Sequence, residues 1–162
     1  MEPALRTSVT LREELSAVRE YLRNETYRYQ GWLYWDCAVD PDVEQSIRIP
    51  KKLILTFVEN AMNHALFQGP EKGKIEVSVH RSTLGLLIMV SDNGKTNNQL
   101  PEVEKPGNGT LKLLDEFLKV YNQQSKEHVS YRMLDRCEGE EGRQGTRVLI
   151  TVKIGDPLRK QA

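Results

Sequence analysis

The sequence predicts one α/β domain, a two-layer sandwich in which helices cover one face of a mixed, mostly antiparallel sheet. Apolar residues recur at helical spacing in three separate runs, and five other runs alternate or are rich in β-branched and aromatic residues. Their order, helix, strand, helix, hairpin, loop, helix, hairpin, is too uneven for a doubly wound parallel sheet. A chain of 162 residues with 38% hydrophobic content buries one core and is short for two.

Leu11, Leu15, Val18, Leu22 and Tyr29 lie at near-helical spacing among charged residues, and Thr10 with Glu13 three positions on has the pattern of a capping box. An amphipathic helix ending near Gln30 and Gly31 is expected. Residues 32–39, with Trp32, Tyr34, Trp35 and Val39, read as a strand closed by the Asp40-Pro41-Asp42 turn. Pro50 is placed to open a second helix over 51–67, where Leu53, Ile54, Phe57, Val58, Ala61 and Ala65 form a broad apolar face. After a Gly-Pro loop, residues 74–80 and 84–90 fit an antiparallel hairpin. The stretch 95–108 is rich in Asn, Gln, Pro, Gly and charge, as expected of a surface loop, and its functional reading is a lid. Leu111, Leu114, Leu118 and Tyr121 predict a third helix, and 129–134 with 146–154 a second hairpin.

Charge and cysteine content exclude several function classes. The 23 basic and 23 acidic residues cancel, so no global field draws the chain to nucleic acid or to an anionic membrane. Cys37 and Cys137 have no CxxC or CxxH neighbour and read as free thiols rather than metal ligands. Neither a membrane-spanning apolar stretch nor the apolar core of a signal peptide is evident, and the expectation is a soluble, cytoplasmic chain.

Two segments carry the chemistry. Asn60 and Asn63 share one face of the second helix, with Glu59 adjacent and His64 one turn beyond Asn60. Polar groups on so apolar a helix either hydrogen-bond a neighbouring loop or face a ligand. The strand ending in Val90-Ser91 runs into Asp92-Asn93-Gly94. A carboxylate there accepts from an exocyclic amine and glycine lets backbone approach a ring, which suits a purine edge, although Asp-Asn-Gly is also an ordinary hairpin turn. The two segments in this order, about thirty residues apart, with Gly145-Thr146 opening a later strand, are more specific than either alone.

On these residues the sequence resembles the ATP-binding domains shared by DNA gyrase, the ninety-kilodalton heat-shock chaperone, histidine kinases and MutL, the GHKL superfamily. The likeness is strongest to sensor histidine kinases of the lysis-regulator type. It rests on Leu11-Arg12-Glu13-Glu14-Leu15, Tyr21-Leu22, Arg28-Tyr29, Ile49-Pro50, Val58-Glu59-Asn60-Ala61 and His64, and it spans about residues 10–154. The resemblance implies a Bergerat-type ATPase fold, with 1–30 as an N-terminal helix and linker from an upstream region, 31–156 as the ATP-binding domain and 157–162 as a tail. It implies ATP and Mg2+ as cofactors. Asn60 would hold the magnesium, and Glu59, the catalytic candidate, would act near the γ-phosphate. Asn63 and His64 would complete that face toward the nucleotide. Asp92 would bind the adenine amine, Gly94 would floor the ring, Gly107 and Gly109 would border the lid, and Thr146 would support Asp92.

The chain departs from the family pattern at Asn63, where a basic residue is usual, at Thr96, where a second glycine is usual, and at Thr110 and Leu113 in the lid motif. Lys95, Lys105 or Lys112 are the candidates to supply the missing charge. His64, His80 and His128 do not open a long helical hairpin, so the phosphoacceptor is expected outside this chain. The leading expectation is the ATP-binding catalytic domain of a two-component sensor kinase. Its partners would be an acceptor-histidine domain and a response regulator, within a homodimeric parent that is cytoplasmic or the cytoplasmic part of a membrane sensor. The alternatives are a degenerate module of the same fold with a regulatory surface, and a protein-serine kinase of the anti-sigma type.

Overall fold

A computed structural model describes residues 7–66, 73–94, 108–135 and 145–155. The expected loop between the second helix and the first hairpin, the lid with Gly107, Cys137 and the Gly-rich turn before Gly145 lie outside the described residues. Strand β1 (Ser8–Thr10) leads into helix α1 (Leu11–Arg28), whose start is capped as expected: Thr10 Oγ1 accepts from the Glu13 amide at 3.1 Å. Leu11, Leu15, Val18 and Leu22 are fully buried in the core. The helix is therefore one wall of the domain.

Strand β2 (Leu33–Val39) follows, with Trp35 packed half-buried against the core. Pro50 does not open the second helix, contrary to the sequence pattern. It ends strand β3 (Arg48–Pro50), which pairs antiparallel with β1 as a separate two-stranded sheet. The fixed φ of proline suits a strand end as well as a first helical turn. Arg48 stabilises this arrangement, its Nε donating to Ser8 Oγ at 2.9 Å and its Nη2 to the Ser8 carbonyl at 2.8 Å. Lys52 then turns the chain with φ 67°, and helix α2 runs Leu53–Leu66.

Strands β4 (Gly73–Ser82) and β5 (Gly85–Asp92) form the expected hairpin, helix α3 (Asn108–Gln124) follows, and β6 (His128–Asp135) pairs with β7 (Thr146–Lys153). The main sheet has the order β2-β4-β5-β7-β6, with β2 parallel to β4 and every other pair antiparallel. It is a mixed, mostly antiparallel sheet, as expected. Along β4, β5 and β7 the residues Ile75, Val77, Val79, Leu86, Ile88, Val90, Val148, Ile150 and Val152 all face the core, the period-2 pattern of a sheet covered on one side. Helix α2 packs on β4 and β5, and α1 packs on α2.

Candidate functional site

Helix α2 carries the first group of candidate residues. Its apolar face, Leu53, Ile54, Phe57, Val58, Ala61 and Met62, is buried against the sheet and α1. Asn60 is buried with them at 4% exposure, and its Oδ1 has no hydrogen-bond partner among the described residues. An unsatisfied buried amide oxygen costs about 1–3 kcal/mol, so such an atom calls for a partner that the described residues do not supply. Glu59 and Asn63, on either side, are exposed. The side chain of His64 lies outside the described residues.

The second group sits where β5 ends. Asp92 is 3% exposed, and its Oδ1 accepts from the Gly94 amide at 2.9 Å, an Asx turn that fixes both the carboxylate and the buried glycine. Asn93 ties this turn to β4, its Oδ1 accepting from the Lys74 amide at 2.7 Å. Arg147 of β7 lies opposite Ser91 and donates from Nε to Ser91 Oγ at 3.2 Å. Thr146 precedes Arg147 as Asp92 follows Ser91, and this buried pair adjoins at one end of the sheet. Gly145 completes it. At φ +128°, a Cβ there would lie 1.9 Å from the Asp92 carbonyl oxygen, so only glycine permits the close approach.

Two further elements pack around these groups, α1 on α2 and α3 on β6. Burial, then the charges of Glu25 and Glu59, push the Tyr21 phenol up to about 12, which puts α1 within electrostatic reach of Glu59. On α3, Asn122 brackets Val129 of β6, donating to its carbonyl at 2.9 Å and accepting from its amide at 2.8 Å. Tyr131 of β6 donates its hydroxyl to Asp115 of α3 and packs edge-on against Phe57 of α2, ring centres 4.8 Å apart. Gly109 lies in the first turn of α3. Thus Asn60, Asp92, Gly94, Gly145 and Thr146 belong to buried parts of adjoining elements, whereas Glu59 and Asn63 face outward.

Sequence reasoning missed Glu14. It is 3% exposed, and its carboxylate accepts from the Lys52 amide through Oε1 and the Leu55 amide through Oε2, both at 3.0 Å. The available signal was its position, one helical step from Leu11 and Val18 within the apolar stripe of α1. The other described histidines stand on strands. His80 of β4 meets Asp40 Oδ2 through Nδ1 at 2.8 Å and Ser78 Oγ through Nε2 at 3.1 Å, and His128 opens β6.

The donor chemistry suits a nucleotide with a hard cation. Magnesium takes oxygen ligands and is commonly held by one or two protein groups together with phosphate oxygens. The orphaned Asn60 Oδ1 is such an oxygen. Among the described residues no cluster of three or more His, Cys, Asp or Glu side chains is assembled. No helix among them is long and apolar enough to cross a membrane.

No protein-family model matches the chain. The sensor histidine kinase/phosphatase LytS of Staphylococcus aureus is 38% identical over 89 residues, which cover 54% of this chain and 15% of LytS. The mycobacterial sensor histidine kinase MprB superimposes over 93% of this chain and 97% of its own, with a TM-score of 0.58 and 17% identity. The catalytic domain of histidine kinase ThkA matches over 92% and 95%, with a TM-score of 0.55 and 12% identity. ThkA in complex with the response regulator protein TrrA matches over 91% and 41%, with a TM-score of 0.54 and 12% identity. The chain has the fold of the histidine kinase catalytic (GHKL) domains and, over about half its length, is related in sequence to LytS.

Proposed function

We propose that this chain is the ATP-binding catalytic domain of a two-component sensor histidine kinase, positioning Mg-ATP for transfer of its γ-phosphoryl group to a histidine outside the chain. The observation that carries this reading is the orphaned, buried Asn60 Oδ1 on a helix packed against β5, the strand whose end presents Asp92 locked by the Gly94 amide. Asp92, seated at the end of β5 by the Gly94 amide, would accept from an adenine amine. Gly94 offers a flat floor beneath the ring, and Thr146 supports Asp92 from β7. Asn60 would hold the cation that neutralises phosphate charge. Glu59, exposed and adjacent in sequence, would orient the incoming group, and Asn63 and His64 are the further candidates on this helix. Gly107, outside the described residues, and Gly109 would border the lid by the family resemblance. Since phosphoryl transfer depends mostly on positioning and electrostatics, short side chains and backbone suffice.

The acceptor-histidine domain and a response regulator are the proposed partners, within a homodimeric parent whose kinase part is cytoplasmic. The ThkA complex supports a response regulator as partner, and the LytS relationship supports a sensor kinase. A second reading, a regulatory module of the same fold, is favoured by the exposed Asn63, which brings no charge to meet phosphate. Thermal unfolding separates the two. Mg-ADP at 100 times its dissociation constant adds roughly 2.7 kcal/mol, a rise of several degrees for a chain of this size. Asp92→Asn should abolish the rise. No shift at millimolar Mg-ADP would favour the regulatory module, and an equal shift in Asp92→Asn would overturn the adenine-binding role of Asp92.

A further inference from the structure

Helix α2 begins with a sequence ill suited to a helix start. Its cap position is Lys52, whose carbonyl accepts the first helical hydrogen bond from the Thr56 amide at 2.9 Å, and whose φ is 67°. The preferred cap residues are Ser, Thr, Asp and Asn, and a positive helix terminus favours acidic neighbours. Here Lys51 and Lys52 stand at that end, and the first turn holds no acid. Nothing local satisfies the orphan amides.

Glu14 supplies what is missing from another helix. In a capping box the cap side chain accepts from the amide of the third helical residue, while a Glu at that residue reaches back to the amide of the cap. For α2 those amides belong to Leu55 and Lys52. Glu14 takes both, Oε2 from Leu55 and Oε1 from Lys52, each at 3.0 Å. One buried carboxylate on α1 thus performs both halves of a capping box across 38 and 41 positions of sequence. Asn60 lies on the same helix, five residues beyond Leu55.

We propose that Glu14 is a positioning residue for the pocket: by capping α2 from α1 it sets the axial placement of Asn60 relative to Asp92, and so couples the disposition of α1 to the metal and phosphate end of the site. The consequence for ligands rests on the reading given under Proposed function. Asp92 stands on β5, outside the α1–α2 junction, and its adenine-facing role is independent of the cap. Loss of the cap should therefore act unequally on the two ends of a nucleotide.

The test compares Glu14→Ala and Glu14→Gln with the unaltered chain, well below their melting temperatures. Calorimetric titration with adenosine and with Mg-ADP should show Mg-ADP weakened about tenfold in Glu14→Ala, the size expected from losing a cap. Adenosine affinity should change less than about twofold, and Glu14→Gln, which keeps one acceptor oxygen, should fall between. Hydrogen exchange should show faster exchange at the Lys52 and Leu55 amides and along α2 to Asn60, with β5 and β7 unchanged. Equal loss of adenosine and Mg-ADP affinity, or exchange in α2 identical to that of the unaltered chain, would overturn the proposal. An unaltered chain that binds neither ligand would defeat the nucleotide reading and the pocket consequence together, while the exchange measurement would still decide whether Glu14 fixes the start of α2.

Discussion

At the scale of single residues, the end of β5 shows how a short turn becomes a rigid acceptor. Asp92 is held through the Gly94 amide and overlaid by Gly145, whose missing side chain is a steric requirement. Gly145→Ala would force a Cβ into the Asp92 carbonyl in a backbone conformation that alanine resists, at a cost on the order of 2–3 kcal/mol. The expected fall in melting temperature is about 5–10 °C, and a fall under about 2 °C would show that the two strands separate easily there. Glu14 makes a prediction of opposite character, about pH. Burial, the largest influence, lifts its carboxyl above the ordinary 4.5, although the amides of Leu55, Lys52 and Ile54 and the charge of Lys52 pull it down. The folded chain then keeps this proton to higher pH than the unfolded chain, so the stability from this group is full below the unfolded value and is lost as pH rises through the raised folded one. Denaturant midpoints of the unaltered chain and Glu14→Gln, measured at rising pH from 4.5, should show the advantage of the unaltered chain shrinking. A growing advantage would mean that the carboxyl titrates below its usual range.

At the scale of elements, α1 belongs to the domain's core as much as to any upstream connection. Each of its fully buried side chains, Leu11, Leu15, Val18 and Leu22, contributes about 1.5–3 kcal/mol by burial. Together they are comparable with the roughly 5–15 kcal/mol by which a whole domain is stable. A chain begun at residue 31 should therefore lose cooperative unfolding, readable by circular dichroism during a thermal scan. A sharp transition in that fragment would show that α1 is an appendage. The elements with strong periodicity were legible from sequence. The Thr10 cap was visible in the pattern Thr10–Glu13, and the core faces of α2, β4, β5 and β7 in their spacing. The small β1–β3 sheet was not, because three-residue strands carry no periodicity and Pro50 fits a strand end as well as a helix start. Glu14 was hidden for a related reason: a cap formed across 38 and 41 residues has no local signature beyond an acid in an apolar stripe. The parallel pairing of β2 with β4 likewise depends on how α2 crosses between them, a tertiary fact.

At the scale of the whole molecule, the balanced charge means that the proposed nucleotide would be held locally, by fixed donors and acceptors, rather than drawn in by a surrounding field. The fold of histidine kinase catalytic domains was legible because Asn60 and Asp92 stand at the right places in a recognisable order of elements. How these residues are seated was not, since the orphaned Asn60 oxygen and the Gly145 contact exist only in the folded chain. Calorimetric titration of ADP with and without Mg2+, in the unaltered chain and in Asn60→Ala, tests the claim most directly. Mg2+ should tighten ADP binding to the unaltered chain about tenfold or more, and Asn60→Ala should lose this gain while keeping the magnesium-free affinity. An equal response to Mg2+ in both proteins would contradict it.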